Sequence, residues 1–215
     1  MKTTQQLFTA KDHLASKDRF KVFWNNDKQR AQTEIPFGTD MSKYYKSDDY
    51  ASHKKKEKSL ADLIYFFIQR IMLRFKMALI KRHSLGKKIL DYGAGIGNFA
   101  RYMSKDKYRV FAIEPNPTAM DIIISKGINV ASSLKDIPPT ESFNIITLWH
   151  VLEHISSPKK TLAELRSRLE KNGKLIIAVP NFNSFDSQHY QANWAALDVP
   201  RHLWHFTTPG IYFRN

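Results

Sequence analysis

The sequence predicts an α/β domain built on an open parallel sheet with helices on both faces, preceded by a helical and irregular extension. Three observations lead there. From Gly86 onward, short apolar runs alternate with helical patterns, the order that produces parallel sheets. Runs such as those within KKILDYG, YRVFAIEP and KLIIAVP are apolar without a period of two, as expected of strands covered on both sides. The first of them ends in an acid, Asp91, followed by glycines at every second position, Gly93, Gly95 and Gly97.

Taken in order, residues 1 to 58 are polar, with turn signals at Ile35-Pro36-Phe37-Gly38 and a lysine run at Lys54, Lys55 and Lys56. They read as irregular, with DRFKVFW (18 to 24) able to form one strand. Residues 59 to 83 change character. Leu60, Leu63, Ile64, Phe67, Ile71, Phe75 and Ala78 recur at helical spacing, and Ser59 with Asp62 forms an N-terminal capping pair. Arg70, Arg74 and Lys76 interrupt the apolar run short of the ~20 residues a membrane span needs. The extension is therefore taken as 1–85 and the α/β domain as 86–215.

Within that domain KKILDYG is strand 1 and GNFARYMSK a helix. YRVFAIEP is strand 2, followed by a helix from PTAMDIIISKG. INVAS is a short third strand and SFNIITLWHV the fourth. SPKKTLAELRSRLEKNG predicts a helix that opens on Ser157 and Pro158 and ends at Gly173, and KLIIAVP is strand 5. Open sheets of this kind bind ligands at the C-terminal ends of their strands, which directs attention to the residues just after each run.

Composition narrows the partners. The 215 residues contain no cysteine, which excludes disulfides and thiolate metal sites. The net charge is +14, and residues 1 to 85 carry 18 Lys and Arg against 9 Asp and Glu. That asymmetry fits an anionic partner, a membrane surface or nucleic acid, or else a solvated face. The N-terminal residues lack an apolar run of signal-peptide length. A cytoplasmic location is expected, and the amphipathic helix of 59–83 either packs its apolar face on the following domain or makes peripheral contact with an anionic membrane or lids a substrate cleft.

The glycines discriminate between ligands. A dinucleotide wants G-x-G-x-x-G; Gly93 and Gly95 fit, but the third position is Asn98. An acid before the turn also suits a cationic ligand better than a pyrophosphate. The pattern Asp91-x-Gly93-x-Gly95-x-Gly97 resembles the first motif of the class I S-adenosylmethionine (SAM)-dependent methyltransferases. The resemblance implies a Rossmann-like sheet of order 3-2-1-4-5 with SAM as cofactor and S-adenosylhomocysteine as product. It implies cofactor contacts from Asp91, Gly93, Ala94, Gly95 and Gly97. Glu114 and Pro115 at the end of strand 2 would face the ribose, and Ser133 and Leu134, with Ser132, the adenine. Trp149 and His150 would lie beside the methionine part.

LWHVLEHISSP (148 to 158) and DVPRHLWHFTTPG (198 to 210) resemble segments of small-molecule methyltransferases related to the quinone-modifying enzymes. Five of the eight histidines, His150, His154, His189, His202 and His205, follow strand 4. His154 is the first candidate base for an acceptor hydroxyl and His202 the second, with Arg201 and His205 also over the acceptor pocket. An aromatic cleft from Trp149, Phe182, Phe185, Trp194 and Trp204 is expected. No metal site is expected, since no third ligand accompanies the histidines in sequence. Tyr44, Tyr45, Lys46, Ser47, Tyr50, Ala51, Ser52 and His53 are candidate lid groups.

The function implied is methyl transfer to an oxygen, nitrogen or carbon of a small or lipid-like acceptor. The alternatives are an RNA or protein methyltransferase with a basic target-binding face and a non-catalytic SAM-binding module. The Asp/Asn-Pro-Pro-aromatic motif of nucleic-acid aminomethyltransferases is absent after strand 4. The antiparallel hairpin that usually completes the family sheet does not follow strand 5, so an exposed edge and a homodimer are expected.

Overall fold

A computed structural model describes residues 4–26, 28–45, 60–83 and 86–212, with side chains in the first helix described from Leu63 onward. In chain order the strands are β1 (Thr4–Lys11), β2 (Arg19–Asn25), β3 (Arg30–Thr33), β4 (Lys88–Tyr92), β5 (Arg109–Ile113), β6 (Asn129–Ala131), β7 (Phe143–Trp149), β8 (Leu169–Ala178) and β9 (Trp204–Phe206). The helices are α1 (Leu60–His83), α2 (Asn98–Lys105), α3 (Pro117–Ser125), α4 (Pro158–Arg166) and α5 (Phe185–Tyr190). Ser59 and residues 46 to 58, including the lysine run and most of the candidate lid, lie outside the described residues.

Contacts divide the chain into two units. One comprises Met1–Lys55, Leu152–Lys159 and Val179–Asn215; the other comprises Lys56–Val151 and Lys160–Ala178. The division differs from a single boundary at residue 85: α1 goes with the parallel sheet, and the C-terminal segment goes with the N-terminal strands.

The parallel unit holds a five-stranded sheet in the order β6-β5-β4-β7-β8, all neighbours parallel. This is the Rossmann-like order 3-2-1-4-5. Its centre is apolar because β4 and β7 are buried over nearly their whole length. One core cluster joins Ile89, Val110, Ala112 and Ile145 of the sheet to Phe99, Ala100 and Met103 of α2 and Ile123 of α3, with Ile80, Leu73 and Met77 of α1 packed on it. Asn116 caps α3 by accepting from the Ala119 amide at 3.1 Å, ahead of Pro117 in the first turn.

Helix α4 ends at Arg166, seven residues before the expected stop at Gly173, and β8 already begins at Leu169. The sheet captures this backbone: the Phe143 amide donates to the Arg168 carbonyl at 2.8 Å, and Phe143 pairs with Leu169. The polar stretch Glu170-Lys171-Asn172-Gly173 then bulges, so that Ile145 pairs with Lys174, with Asn172 at a φ of 68°. Helical composition over 167–171 loses to cross-strand hydrogen bonds. Among the described residues β8 has no further strand on its outer side.

The second unit corrects the expectation of an irregular N-terminal region. β1, β2, β3 and β9 form a four-stranded antiparallel sheet in that order. β2 matches the one strand that the pattern suggested. β1 was hidden because six of its eight residues are exposed and a bulge between Gln6 and Phe8 breaks its alternation. β3 needs β9, whose residues lie more than 170 positions away, to complete its pairing. Phe20, Val22, Ala31, Tyr44, Leu197 and Val199 make its core.

A buried ion cluster ties this unit together. Arg201, 1% exposed, donates through Nε to Asp198 at 3.0 Å, through Nη2 to Asp12 at 3.0 Å and through Nη1 to the Tyr44 carbonyl at 3.0 Å. Burial raises the Asp12 pKa, but the amides of Ser16, Ala15 and Leu14 and the Arg201 guanidinium outweigh it and bring it to about 2. A carboxylate with a depressed pKa stabilises the fold above its unfolded pKa of ~3.9 and loses that contribution as pH falls through the folded value. Stability of wild type should therefore drop by about 2 kcal/mol between pH 4 and pH 2, and this drop should shrink in Asp12→Asn when denaturant midpoints are compared across pH. Arg201→Met, which strands two carboxylates, should cost about 3–5 kcal/mol at neutral pH.

Candidate functional site

The glycine turn after β4 is held by its neighbour strand. The Gly93 and Ala94 amides both donate to the Ile113 carbonyl, at 2.8 and 3.0 Å, and the Gly95 amide donates to Glu114 Oε2 at 2.8 Å. Gly93 has a φ of 73°, and a Cβ there would lie 2.5 Å from Val151 Cγ2. Gly95, at a φ of 53°, differs: a Cβ there would meet nothing within 4 Å. Its bare side faces a cavity of about 280 Å³ lined by Gln69, Met72, Leu73 and Lys76 of α1, Asp91, Gly93, Ala94, Gly95, Ile96, Asn98, Phe99 and Trp149.

The polar groups of this cavity suit a cationic guest. Asp91 is buried and accepts from the Thr147 hydroxyl at 2.9 Å. Burial pushes its carboxyl up to about 7, against the Thr147 hydrogen bond and the Lys76 charge, with Glu114 adding to the rise. Lys76 Nζ sits 4.4 Å from the Trp149 ring centroid and 5.8 Å from that of Phe99, so the aromatic wall already accommodates a cation. Burial lowers the Lys76 pKa, while Asp91 raises it. Among the described residues Trp149 Nε1 is buried without a hydrogen-bond partner, a donor left for a guest's acceptor.

Of the residues expected to bind cofactor, the structure brings Asp91, Gly93, Ala94, Gly95 and Trp149 to this cavity. Gly97 starts α2 at a φ of 73°, where a Cβ would lie 2.8 Å from Ile123 Cγ1, so it serves helix packing. Glu114 grips the turn, with Oε1 also accepting from the Asn116 amide at 3.0 Å. Pro115 and His150 are exposed and do not line the cavity. Ser133 and Ser132 bond Asp136, at 3.0 and 2.7 Å through their hydroxyls, as part of a capping box ahead of Leu134. Sequence reasoning missed Thr147, although a hydroxyl inside an otherwise apolar strand is itself a sign of a buried partner, and it read Lys76 only as an interruption of α1.

The catalytic candidates lie in the antiparallel unit. His154 and His202 stack edge to face with ring centroids 4.6 Å apart. Each is oriented by a backbone carbonyl: His154 Nδ1 lies 3.0 Å from the Arg201 oxygen and His202 Nδ1 2.9 Å from that of Ala196. Burial, then the neighbouring His154, lower the His202 pKa. His205 is apart from this pair. It is buried on β9, its Nε2 lies 2.9 Å from the Thr33 hydroxyl, and burial brings its pKa down to about 3. The expected aromatic cleft is dispersed: Phe182 and Trp194 pack on the antiparallel core, Trp204 lies against Arg30 and Phe185 is exposed.

An open parallel sheet with a glycine turn, a buried acid and a carboxylate at the next strand end defines a nucleoside-cofactor domain. A family model described as a methyltransferase domain matches residues 63–211, and the chain belongs to that family. The ubiquinone biosynthesis O-methyltransferase of Glaesserella parasuis is 31% identical over 109 residues, which cover 45% of this chain and 46% of that protein. The mitochondrial ubiquinone biosynthesis O-methyltransferase of Schizosaccharomyces pombe is 27% identical over 103 residues, covering 43% of this chain and 38% of its own length. The chain thus spans less than half of either relative. Among solved structures, a SAM-dependent methyltransferase from Thermotoga maritima, described as a possible histamine N-methyltransferase, shares the fold. It superposes with a TM-score of 0.51 at 22% identity over 63% of each chain.

Asp91 makes a test of the site's electrostatics. A carboxyl raised from 3.8 to about 7 resists ionising in the fold, so the parallel unit should be most stable below about pH 4 on this account and lose a few kcal/mol as pH rises to 7. Asp91→Asn should abolish that loss in thermal melts across the same range.

Proposed function

We propose that the protein is a SAM-dependent methyltransferase acting on a small or lipid-like acceptor, with the cofactor held in the cavity beside Gly95. The observation that carries this reading is the conjunction, in one cavity, of an open glycine face, a buried carboxylate and an unpartnered indole N–H. When bound, SAM supplies a methyl group made electrophilic by its sulfonium. Asp91 in its ionised form complements the positive charge, the Trp149 N–H offers a donor to a carboxylate, and the Gly95 face admits close backbone approach. Glu114 retains acceptor capacity for ribose hydroxyls beyond its two amide bonds. Shielding from water and alignment of an acceptor with the methyl group are then the main catalytic requirements.

The ubiquinone-type relatives support an oxygen acceptor with apolar character. An acceptor hydroxyl must lose a proton, and the cluster around His154 and His202 is the candidate for that task, with His205 assigned to packing. α1 supports a lipid-facing role: Leu63, Ile64, Phe66, Phe67, Ile71 and Phe75 are all exposed on a helix that also carries Arg70, Arg74, Lys76, Lys81 and Arg82. Among the described residues no helix is long and apolar enough to cross a membrane, so this contact would be peripheral.

Calorimetric titration with S-adenosylhomocysteine, with NAD as control, tests the cofactor assignment. Micromolar binding of S-adenosylhomocysteine alone is expected, abolished in Gly95→Arg and weakened on the order of 10–100-fold in Asp91→Asn. Wild-type affinity should decline below pH 7, where Asp91 takes up its proton. Equal binding of NAD, or no binding of S-adenosylhomocysteine, would defeat the assignment.

A further inference from the structure

We propose that the antiparallel unit carries a second small-molecule site, separate from the cofactor cavity, that takes an apolar acid: an aliphatic or aryl body ending in a carboxylate. The site is a cavity of about 280 Å³ between the turn after β1 and the segment 192–199. Every residue lining it belongs to the antiparallel unit, and it shares none with the cavity beside Gly95. At ~30 Å³ for a water-sized group, it holds about nine of them, enough for a ligand of about that many heavy atoms.

The wall is apolar where it is deep and basic where it opens. Leu197 and Val199 are each 2% exposed and belong to the antiparallel core, and Trp194 packs on Phe182 with ring centroids 6.3 Å apart. Leu14, which also lines the cavity, is 53% exposed. An apolar guest would take that side chain out of water, at ~25 cal/mol per Å² covered. At the rim Lys11 and His13 are exposed, and among the described residues neither enters an ion pair. Lys17 Nζ donates to the His13 carbonyl, which brings a second ammonium to the same turn.

The one acid in the lining, Asp198, does not offset this charge. Both of its carboxylate oxygens accept from Arg201 Nε, each at 3.0 Å, so its charge is matched inside the fold. The charge left facing a guest is positive and selects an anion. Its place at the mouth of an apolar hollow sets that anion at one end of an apolar body. Asp198 belongs both to this wall and to the Arg201 cluster, and the Arg201 carbonyl lies 3.0 Å from His154 Nδ1. A guest seated against Asp198 therefore bears on the residue that positions His154.

This site requires nothing of the methyl-transfer reading, and S-adenosylhomocysteine titrations of the same proteins report the cofactor cavity by itself. The full chain, labelled with 5-fluorotryptophan at its four tryptophans, is titrated with octanoate and, separately, with octylammonium. Trp194→Phe assigns the Trp194 fluorine resonance. We expect saturable octanoate binding that shifts the Trp194 resonance and leaves that of Trp149, in the cofactor cavity, in place. Octylammonium should bind about 10-fold more weakly or worse, and Lys11→Glu and Leu14→Glu should each weaken octanoate by about 10-fold or more. Lys171→Glu, the same charge change at an exposed position of the parallel unit, should bind octanoate as wild type. No shift at Trp194, equal binding of octylammonium, or undiminished binding in Lys11→Glu overturns the proposal. Should a variant fail to fold, the wild-type comparison of octanoate with octylammonium at Trp194 decides by itself.

Discussion

Arg201 is the constraint on which the antiparallel unit depends. A guanidinium taken out of water costs several kcal/mol unless its charge and donors are matched, and here two carboxylates and a carbonyl match them. The consequence is geometric. Asp12 comes from the loop after β1, Tyr44 from the segment after β3, and Asp198 from the turn just before Arg201, so meeting the guanidinium's needs brings three distant stretches to one point. The backbone of Arg201 is then held where its carbonyl can orient His154. A single buried side chain thus links the N-terminal sheet to the histidine cluster.

The parallel unit rests on a different constraint, the close packing of bare backbone in the turn after β4. Gly93 and Gly97 are required by Val151 and Ile123, which leave no room for a Cβ. At Gly95 a Cβ would meet nothing within 4 Å, so the position favours glycine through its φ of 53° and leaves that face of the turn open to the cavity. The same turn borrows its stability from β5 through the Ile113 carbonyl and the Glu114 carboxylate. The open face and its structural support are therefore made from adjacent residues of one loop.

Two kinds of charge burial run through the molecule and act in opposite directions. Asp12 is surrounded by amides and a guanidinium and stays ionised far into acid. Asp91 has one hydroxyl and a more distant lysine, and its charge is expensive. A carboxylate that the fold leaves undersatisfied is suited to receiving a cation from outside, whereas one the fold satisfies fully is suited to holding chain segments together.

The sequence by itself determined the five parallel strands, their intervening helices and the acid-glycine turn, because these signals are local: apolar runs set burial on two faces, and Asp91, Gly93 and Gly95 lie within five positions of one another. It also marked LEH and PRHLWH as unusual. Tertiary structure alone decided that His154 and His202 meet while His205 turns to Thr33, that Lys76 stacks on Trp149, and that the polar β1 is a strand. It also ended α4 early, since the pairing of Phe143 with Leu169 outweighs helix propensity beyond Arg166. Each of these depends on a partner from another part of the chain, and neither the spacing nor the polarity of a single segment carries the identity of that partner.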